Sequence, residues 1–113
     1  MKKIEAIIQA GSLDAVKEAL TRRGVDGITV AQIRGYSRDE IQVELYRGAE
    51  FTQDLLPKIK LEMVVPDDQV DELVCAVWRA AKNGESSDGK IFVSTIEAAV
   101  RIRNGAWGED ALG

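Results

Sequence analysis

Two short stretches carry residues whose types and spacing suit phosphate binding. The first, NGESSDGK at residues 83–90, combines glycines, serines and an aspartate with Lys90. Such a loop can turn its backbone N–H groups toward an anion, and the lysine adds a point charge. The second, RIR at residues 101–103, would place Arg101 and Arg103 on the same side of an extended chain, where both could grip one phosphate. These three cations form a candidate polyphosphate cluster.

Both stretches also have ordinary structural explanations. The spacing GxxxxGK is met at residues 84–90, but it precedes a predicted strand instead of a helix, so it is not a Walker sequence. It can equally be a helix-to-strand turn that ends in a surface lysine. The two arginines can instead form salt bridges with Glu97 or Glu109 at a solvated strand edge. From these residues alone, both interpretations stay open.

The sequence contains no arrangement of residues typical of catalysis. Histidine is absent, which excludes histidine-based acid–base chemistry and removes the commonest transition-metal ligand. Ser86 and Ser87 have no neighbouring base that would activate them. Asp67 and Asp68 are explained as a helix cap and first-turn charges. We therefore predict that the protein is not an enzyme; phosphate-ester or acyl-phosphate chemistry is an alternative that fold alone cannot support.

Composition limits the class of protein. A chain of 113 residues fits a single domain, residues 1–113, and 45% apolar with 30% charged residues is a globular composition. The net charge of −4 argues against nucleic acid and anionic membranes as partners. The N-terminal apolar run is too short and too charged for a signal peptide or a membrane insertion, so we expect a cytoplasmic protein. The single cysteine, Cys75, is predicted to be a buried structural thiol.

The two halves of the chain repeat one order of elements, strand, helix, strand. The predicted strands are residues 4–8, 27–33, 61–65 and 89–96, and the predicted helices begin near Leu13 and Val70. Both helices follow the i, i+3, i+4, i+7 spacing of an amphipathic helix. Ser12 and Asp67 are the predicted N-caps, and Gly24 and Gly84 the predicted C-terminal stops.

A doubled strand–helix–strand unit predicts an α+β, ferredoxin-like βαββαβ fold, with a four-stranded antiparallel sheet and both helices on one face. The other face would be uncovered, and on apolar strands this favours a homo-oligomer. The polar stretch GYSRDEIQVELYRGAEF at residues 35–51 then belongs to a long insertion between strands two and three. Loops of that length inside compact domains are often functional. A long hairpin with a solvated tip is the alternative.

The order of elements and the motifs ELYRGAEF, LPKIKLEMVV, DGKIFV and AAVRIRNGAWGEDA resemble the nitrogen regulatory P-II signal-transduction proteins. This resemblance implies a compact homotrimer with nucleotide clefts between neighbouring subunits. It also implies a T-loop at about residues 37–55 that docks on target proteins, a B-loop at about residues 82–90 and a C-terminal loop at about residues 102–113. Members of the family distinguish ATP from ADP and bind 2-oxoglutarate together with Mg-ATP. They act on ammonium transporters or on metabolic enzymes and their regulators.

The resemblance also assigns roles by position. The matching nucleotide positions are Thr29, Gly35, Ser37, Arg38, Val64, Ser87, Asp88, Gly89, Lys90, Arg101 and Arg103. Lys58 matches the lysine that pairs with the distal carboxylate of 2-oxoglutarate. Asp39 stands where the family has the glutamine that helps to hold magnesium. Asp39 is a hard oxygen ligand that suits magnesium, but Asp39 and Glu40 also repel a dianion, so 2-oxoglutarate sensing stays open.

The T-loop departs from the family pattern at its modification sites. Phe51 replaces the tyrosine that is uridylylated in many members, and Ala49 lacks the hydroxyl of the serine that is phosphorylated in others. Target docking is assigned to Tyr46, Arg47, Glu50 and Phe51. We predict an adenylate-responsive regulator of a target protein in nitrogen, or related carbon or transport, metabolism that works without uridylylation. The alternatives are a related trimer that senses another metabolite, such as bicarbonate, and a constitutive interaction or scaffold protein.

Overall fold

The computed structural model describes residues 1–35, 56–82 and 89–113. In this part of the chain the strands are β1 (Lys2–Ile8), β2 (Thr29–Gly35), β3 (Leu56–Val65) and β4 (Lys90–Thr95). Helix α1 (Leu13–Arg22) follows β1, and helix α2 (Val70–Ala81) follows β3. The strands form one antiparallel sheet in the order β2-β3-β1-β4. The predicted ferredoxin-like fold is confirmed, and β1 and β3 are its central strands.

The hydrophobic core lies between the central strands and the two helices. Alternate residues of β1 and β3 point to this side, and the apolar stripes of α1 and α2 cover them. The buried residues that meet here are Ile4, Ala6, Ile8, Val16, Leu20, Ile59, Leu61, Met63, Val65, Leu73 and Val77. Both helices therefore pack on one face of the sheet, as the sequence predicts.

The sequence predicts an apolar surface on the opposite face of the sheet, but the structure has charged side chains there. Its centre holds four charged side chains, Lys3 and Glu5 of β1 and Lys60 and Glu62 of β3, which form ion pairs with one another. Phe92 of β4 is 51% exposed and lies opposite Glu5 in the β1–β4 register. No helix of the described residues is long and apolar enough to cross a membrane.

The helix ends agree with the sequence in part. Gly24 has a φ of +85° and its N–H bonds the carbonyl oxygen of Thr21 at 3.0 Å, so it ends α1 as predicted. Ser12 precedes α1, but its side chain makes no capping hydrogen bond. Gly84 lies outside the described residues.

Asp67 as a helix cap is wrong. It lies in a 3₁₀ turn, Asp67–Gln69, before α2, and its carboxylate pairs with the amino group of Met1 at 2.9 Å. The antiparallel register Lys2↔Val65 brings the start of β1 beside the end of β3, which explains the contact. A hydrogen bond from the Met1 amino group, and then its charge, hold the pKa of this carboxyl below its usual range.

Cys75 as a buried thiol is also wrong, because the side chain is exposed. The buried residues of α2 are Leu73, Ala76 and Val77. At about 100° per residue, Cys75 lies on the side of the helix away from Leu73. Cys75 therefore belongs to an apolar run of sequence, but it does not lie on the face of α2 that packs in the core.

Candidate functional site

The predicted site residues that the structure describes fall into two groups at opposite ends of the sheet. The loop-end group comprises Gly35, Lys58, Gly89 and Lys90, and the tail-end group comprises Thr29, Val64, Arg101 and Arg103. The other predicted residues, Ser37, Arg38, Asp39, Tyr46, Arg47, Glu50, Phe51, Ser87 and Asp88, lie outside the described residues. The proposed magnesium position, Asp39, is among these.

The loop-end group is assembled by strand pairing. Gly35 ends β2 opposite Leu56, and a Cβ on it would lie 3.5 Å from Cγ of Lys58. Lys58 is only 6% exposed, so its stem is packed along the end of the sheet. Lys90 begins β4 opposite Ile7 of β1. Two lysines thus share this end, which suits an anionic ligand.

Gly89 lets β4 approach β1 more closely than any other residue type would. A Cβ on Gly89 would lie 2.3 Å from the carbonyl oxygen of Ile7 and 3.4 Å from its carbonyl carbon. Both of these are backbone atoms, which cannot rotate out of the way as a side chain can. The glycine therefore fixes the start of β4, and with it the position of Lys90.

A cleft of about 610 Å³ adjoins this end, between α2 and the neighbouring ends of β1 and β4. Its wall is mostly apolar, and Gly89 and Lys90 form one side of it. On the helix side, the ammonium of Lys82 lies 4.3 Å from the ring centre of Trp78. The volume is within the range of small-molecule pockets.

A second cavity, of about 340 Å³, lies at the tail end of the sheet. Thr29 at the start of β2 and Val64 near the end of β3 line it, together with Gly27 and Glu62. The C-terminal residues 111–113 line it as well. Hydroxyl, carboxylate and apolar groups meet here, a mixture that can hold a planar heterocycle with polar edges.

The two arginines are carried on a hairpin turn instead of the extended segment predicted from RIR. The N–H of Arg101 bonds the carbonyl oxygen of Ala106, and the N–H of Gly105 bonds the carbonyl oxygen of Arg101, each at 2.8 Å. Gly105 has a φ of +74°, and Asn104 Oδ1 accepts the N–H of Ala106 at 3.0 Å. The Asn-Gly pair makes the turn, and the extended geometry is wrong.

Arg101 is already engaged with the tail-end cavity. Its Nη2 donates to the backbone oxygen of Gly113 at 2.5 Å, and Gly113 is one of the residues that line the cavity. Arg103 lies two residues further along the turn and is exposed. The hairpin therefore brings the Arg101 guanidinium to the C-terminal residue that lines this cavity together with Thr29 and Val64.

One chain does not bring Lys90 together with Arg101 and Arg103. Lys58 and Val64 are six residues apart on β3, so the two ends of the sheet are separated by about 20 Å at 3.3 Å per residue. Lys90 pairs with Ile7 at one end, whereas the N–H of Ile96 bonds Met1 at the other. The candidate polyphosphate cluster is not formed within a single chain.

Sequence reasoning missed several residues of these cavities. Glu62 lies two residues before Val64 on β3, so strand alternation places both on one side and could have identified it. The contribution of residues 111–113 follows from the hairpin and has no local sequence signal. Residues 1–35, 56–82 and 89–113 contain no group of three or more histidine, cysteine, aspartate or glutamate side chains that could hold a metal.

Comparison with curated proteins gives full-length matches. A family model described as "Nitrogen regulatory protein P-II" matches residues 1–106. The protein of that name from Rhodobacter capsulatus is 53% identical over 112 residues, which are 99% of this chain and 100% of the relative. Those from Bradyrhizobium diazoefficiens and Haemophilus influenzae are 54% and 50% identical with the same coverage.

The fold also matches a solved structure, the crystal structure of Arabidopsis thaliana PII bound to citrate. The TM-score is 0.79 and the sequence identity 34%. The alignment covers 97% of this chain and 90% of the plant chain.

Proposed function

The chain belongs to the nitrogen regulatory protein P-II family, and we propose that it binds ATP or ADP in clefts between the subunits of a homotrimer. P-II proteins are trimeric signal-transduction regulators that interact with target proteins, and they are not enzymes. The bound nucleotide would set the conformation of residues 37–55, the T-loop, which in turn controls a target protein.

The separation of the two residue groups is the observation that carries this proposal. The loop-end group and the tail-end group each offer cations and a cleft, but they lie at opposite ends of the sheet. If the loop end of one copy meets the tail end of the next, each junction gains a complete site. A ring closed in this head-to-tail manner has as many junctions as subunits. Three equivalent sites would follow in a trimer.

The chemistry of the two groups suits an adenylate. The cavity around Thr29 and Val64 offers polar and apolar contacts for a base, and arginine guanidinium groups match phosphate oxygens. Lys90 from a neighbouring copy would add a point charge at the phosphates. Arg101 holds the backbone oxygen of Gly113, so a phosphate that engages Arg101 has to replace this contact.

A second, carboxylate effector is part of the proposal. The related Arabidopsis protein was solved with citrate, a tricarboxylate, which supports small carboxylates as effectors in this fold. Lys58 is buried at the loop end, where its ammonium can meet a carboxylate. We propose 2-oxoglutarate with magnesium near Asp39 as the first effector to test, and bicarbonate as the second.

The output would reach an ammonium transporter or a metabolic enzyme or regulator in the cytoplasm. Tyr46, Arg47, Glu50 and Phe51 are the docking residues we propose. Because Phe51 and Ala49 have no hydroxyl, ligands and not uridylylation or phosphorylation at these positions would switch the T-loop. Switching of the T-loop by nucleotides requires only that ATP and ADP favour different loop conformations.

Calorimetric titration with ATP, ADP and AMP, with and without magnesium and 2-oxoglutarate, tests the proposal. We expect adenylate binding that weakens by about tenfold or more in Lys90→Ala, because a charged contact to phosphate is lost. Lys17→Ala, which removes an exposed lysine of α1, is the matched control and should bind as the wild type does. Absence of adenylate binding at millimolar ligand would refute the proposal. Target capture that ignores nucleotide would favour a constitutive scaffold.

A further inference from the structure

The four charged residues at the centre of the helix-free face form a closed ring of ion pairs, which we name the charged quartet: Lys3, Glu5, Lys60 and Glu62. Glu5 and Glu62 are directly opposite each other in the β1–β3 register. Lys60 Nζ lies 3.8 Å from Glu5 and 3.5 Å from Glu62, and Lys3 Nζ lies 3.9 Å from each. Two carboxylates directly across a strand pair repel, so the lysines are what make this arrangement stable.

The quartet lies at a place that a partner would cover. It occupies the two central strands, and its side chains are only 26% to 33% exposed even in one isolated chain. Its neighbours in register are mixed: Phe92 lies opposite Glu5, Ile7 opposite Lys60 and Val64 opposite Lys3, but Ser94 also lies opposite Lys3 and Thr29 opposite Glu62. Phe92 is half-exposed, and aromatic side chains are enriched at protein–protein interfaces, whereas charged residues are depleted at the core of most interfaces.

The quartet also has capacity for contacts from outside. Each ammonium offers three donors and each carboxylate about four acceptor positions. Four ion pairs of 3.5 to 3.9 Å use only part of that capacity. An apolar partner surface would remove water from the four charges without replacing it, which is unfavourable. In a closed ring the helix-free faces of neighbouring copies can converge, and because each face carries both signs, a lysine of one copy can approach a carboxylate of the next.

We propose that the charged quartet selects which chains assemble together: it pairs unlike charges between copies of this chain and excludes chains with another charge order. The inference rests on the proposed homotrimer and adds a rule for partner choice. Charged or polar groups within an interface can specify register and partner more than they add stability. A chain whose quartet differs in sign would place like charges together, and that juxtaposition is strongly unfavourable.

The test uses a chain with every sign reversed, Lys3→Glu, Glu5→Lys, Lys60→Glu and Glu62→Lys. Reversal keeps the ring of ion pairs and the net charge, so the variant should form trimers by itself. Wild-type and reversed chains are expressed together with tags of different mass and the trimers are counted by native mass spectrometry. Random association would make about three quarters of the trimers mixed. We expect mixed trimers about tenfold or more below that proportion.

A matched control exchanges charges where no partner is expected. Glu18 and Arg22 of α1 form an ion pair of 3.1 Å with side chains 66% and 71% exposed. Glu18→Arg with Arg22→Glu should mix with the wild type at random. Random mixing of the reversed quartet as well would overturn the inference and leave the trimer intact. A wild-type chain that is monomeric would instead refute the proposed trimer, so the two failures are distinguishable.

A second pair of variants covers the case in which the reversed chain does not fold. Glu62→Lys and Lys60→Glu leave quartets of opposite excess charge, so the two variants complement each other. When they are expressed together, we expect mixed trimers above the random proportion. Random proportions in this pair would also overturn the inference.

Discussion

Gly89→Ala should destabilise the protein and displace Lys90. The added Cβ would lie 2.3 Å from the carbonyl oxygen of Ile7, whereas real contacts of this kind are essentially never below 3.0 Å. The start of β4 must therefore move away from β1 by roughly 0.7 Å. Strain of this kind destabilises by about 1–3 kcal/mol. At roughly 4 °C per kcal/mol for a domain of this size, Tm should fall by roughly 4–12 °C.

Thermal unfolding followed by circular dichroism at fixed protein concentration measures this loss, and titration with ATP measures the displacement of Lys90. Gly11→Ala is the matched control, because a Cβ added to Gly11 would have no heavy atom within 4 Å apart from those of its chain neighbours. Its Tm should stay within about 2 °C of the wild type. A Gly89→Ala variant that melts with the control and binds ATP as the wild type does would refute the close approach of β4 to β1.

Three further outcomes test the fold. Leu61→Ala removes a fully buried side chain and should lower the free energy of unfolding by about 2–5 kcal/mol in denaturant titration; a loss under about 0.5 kcal/mol would contradict the core. Asp67→Asn should be less stable than the wild type near neutral pH, because the ion pair with the Met1 amino group stabilises only the ionised carboxylate. The difference in stability should vanish as the pH falls through the lowered pKa of Asp67, and a difference that persists in acid would contradict the ion pair. Cys75 should react with Ellman's reagent in the native protein about as readily as in denaturant, and protection from the reagent would contradict its exposure.

Periodic patterns were sufficient to predict the fold. The apolar stripes of α1 and α2 and the alternation in β1 and β3 specify which faces are buried, and burial of those faces leaves one arrangement of layers. Strand ends were less certain from sequence. β3 begins at Leu56 instead of residue 61, and the alternation of polar and apolar residues at 58–63 is the signal of this longer strand.

The sequence predicts a set of candidate site residues, but it does not predict how they are arranged in space. RIR has residue types that could bind a phosphate, but the Asn104-Gly105 pair that follows it makes a turn, and this turn sets the backbone conformation of the segment. Lys90 and Arg101 are close in sequence, but β4 runs the length of the sheet between them. Strand pairing, which sequence spacing does not encode, separates the two groups. The charged quartet likewise arises from pairing between β1 and β3.

Nucleotide binding by mixed trimers is the most direct measurement of a site shared between copies. Lys90→Ala and Arg101→Ala chains each lack one half of every site and should bind ATP weakly when pure. When equal amounts of the two variants assemble at random, about half of the loop ends and half of the tail ends are intact. About a quarter of the sites then combine an intact loop end with an intact tail end. We therefore expect about a quarter of wild-type binding capacity at wild-type affinity. Mixed trimers seen by native mass spectrometry that recover no binding would contradict a site shared between copies.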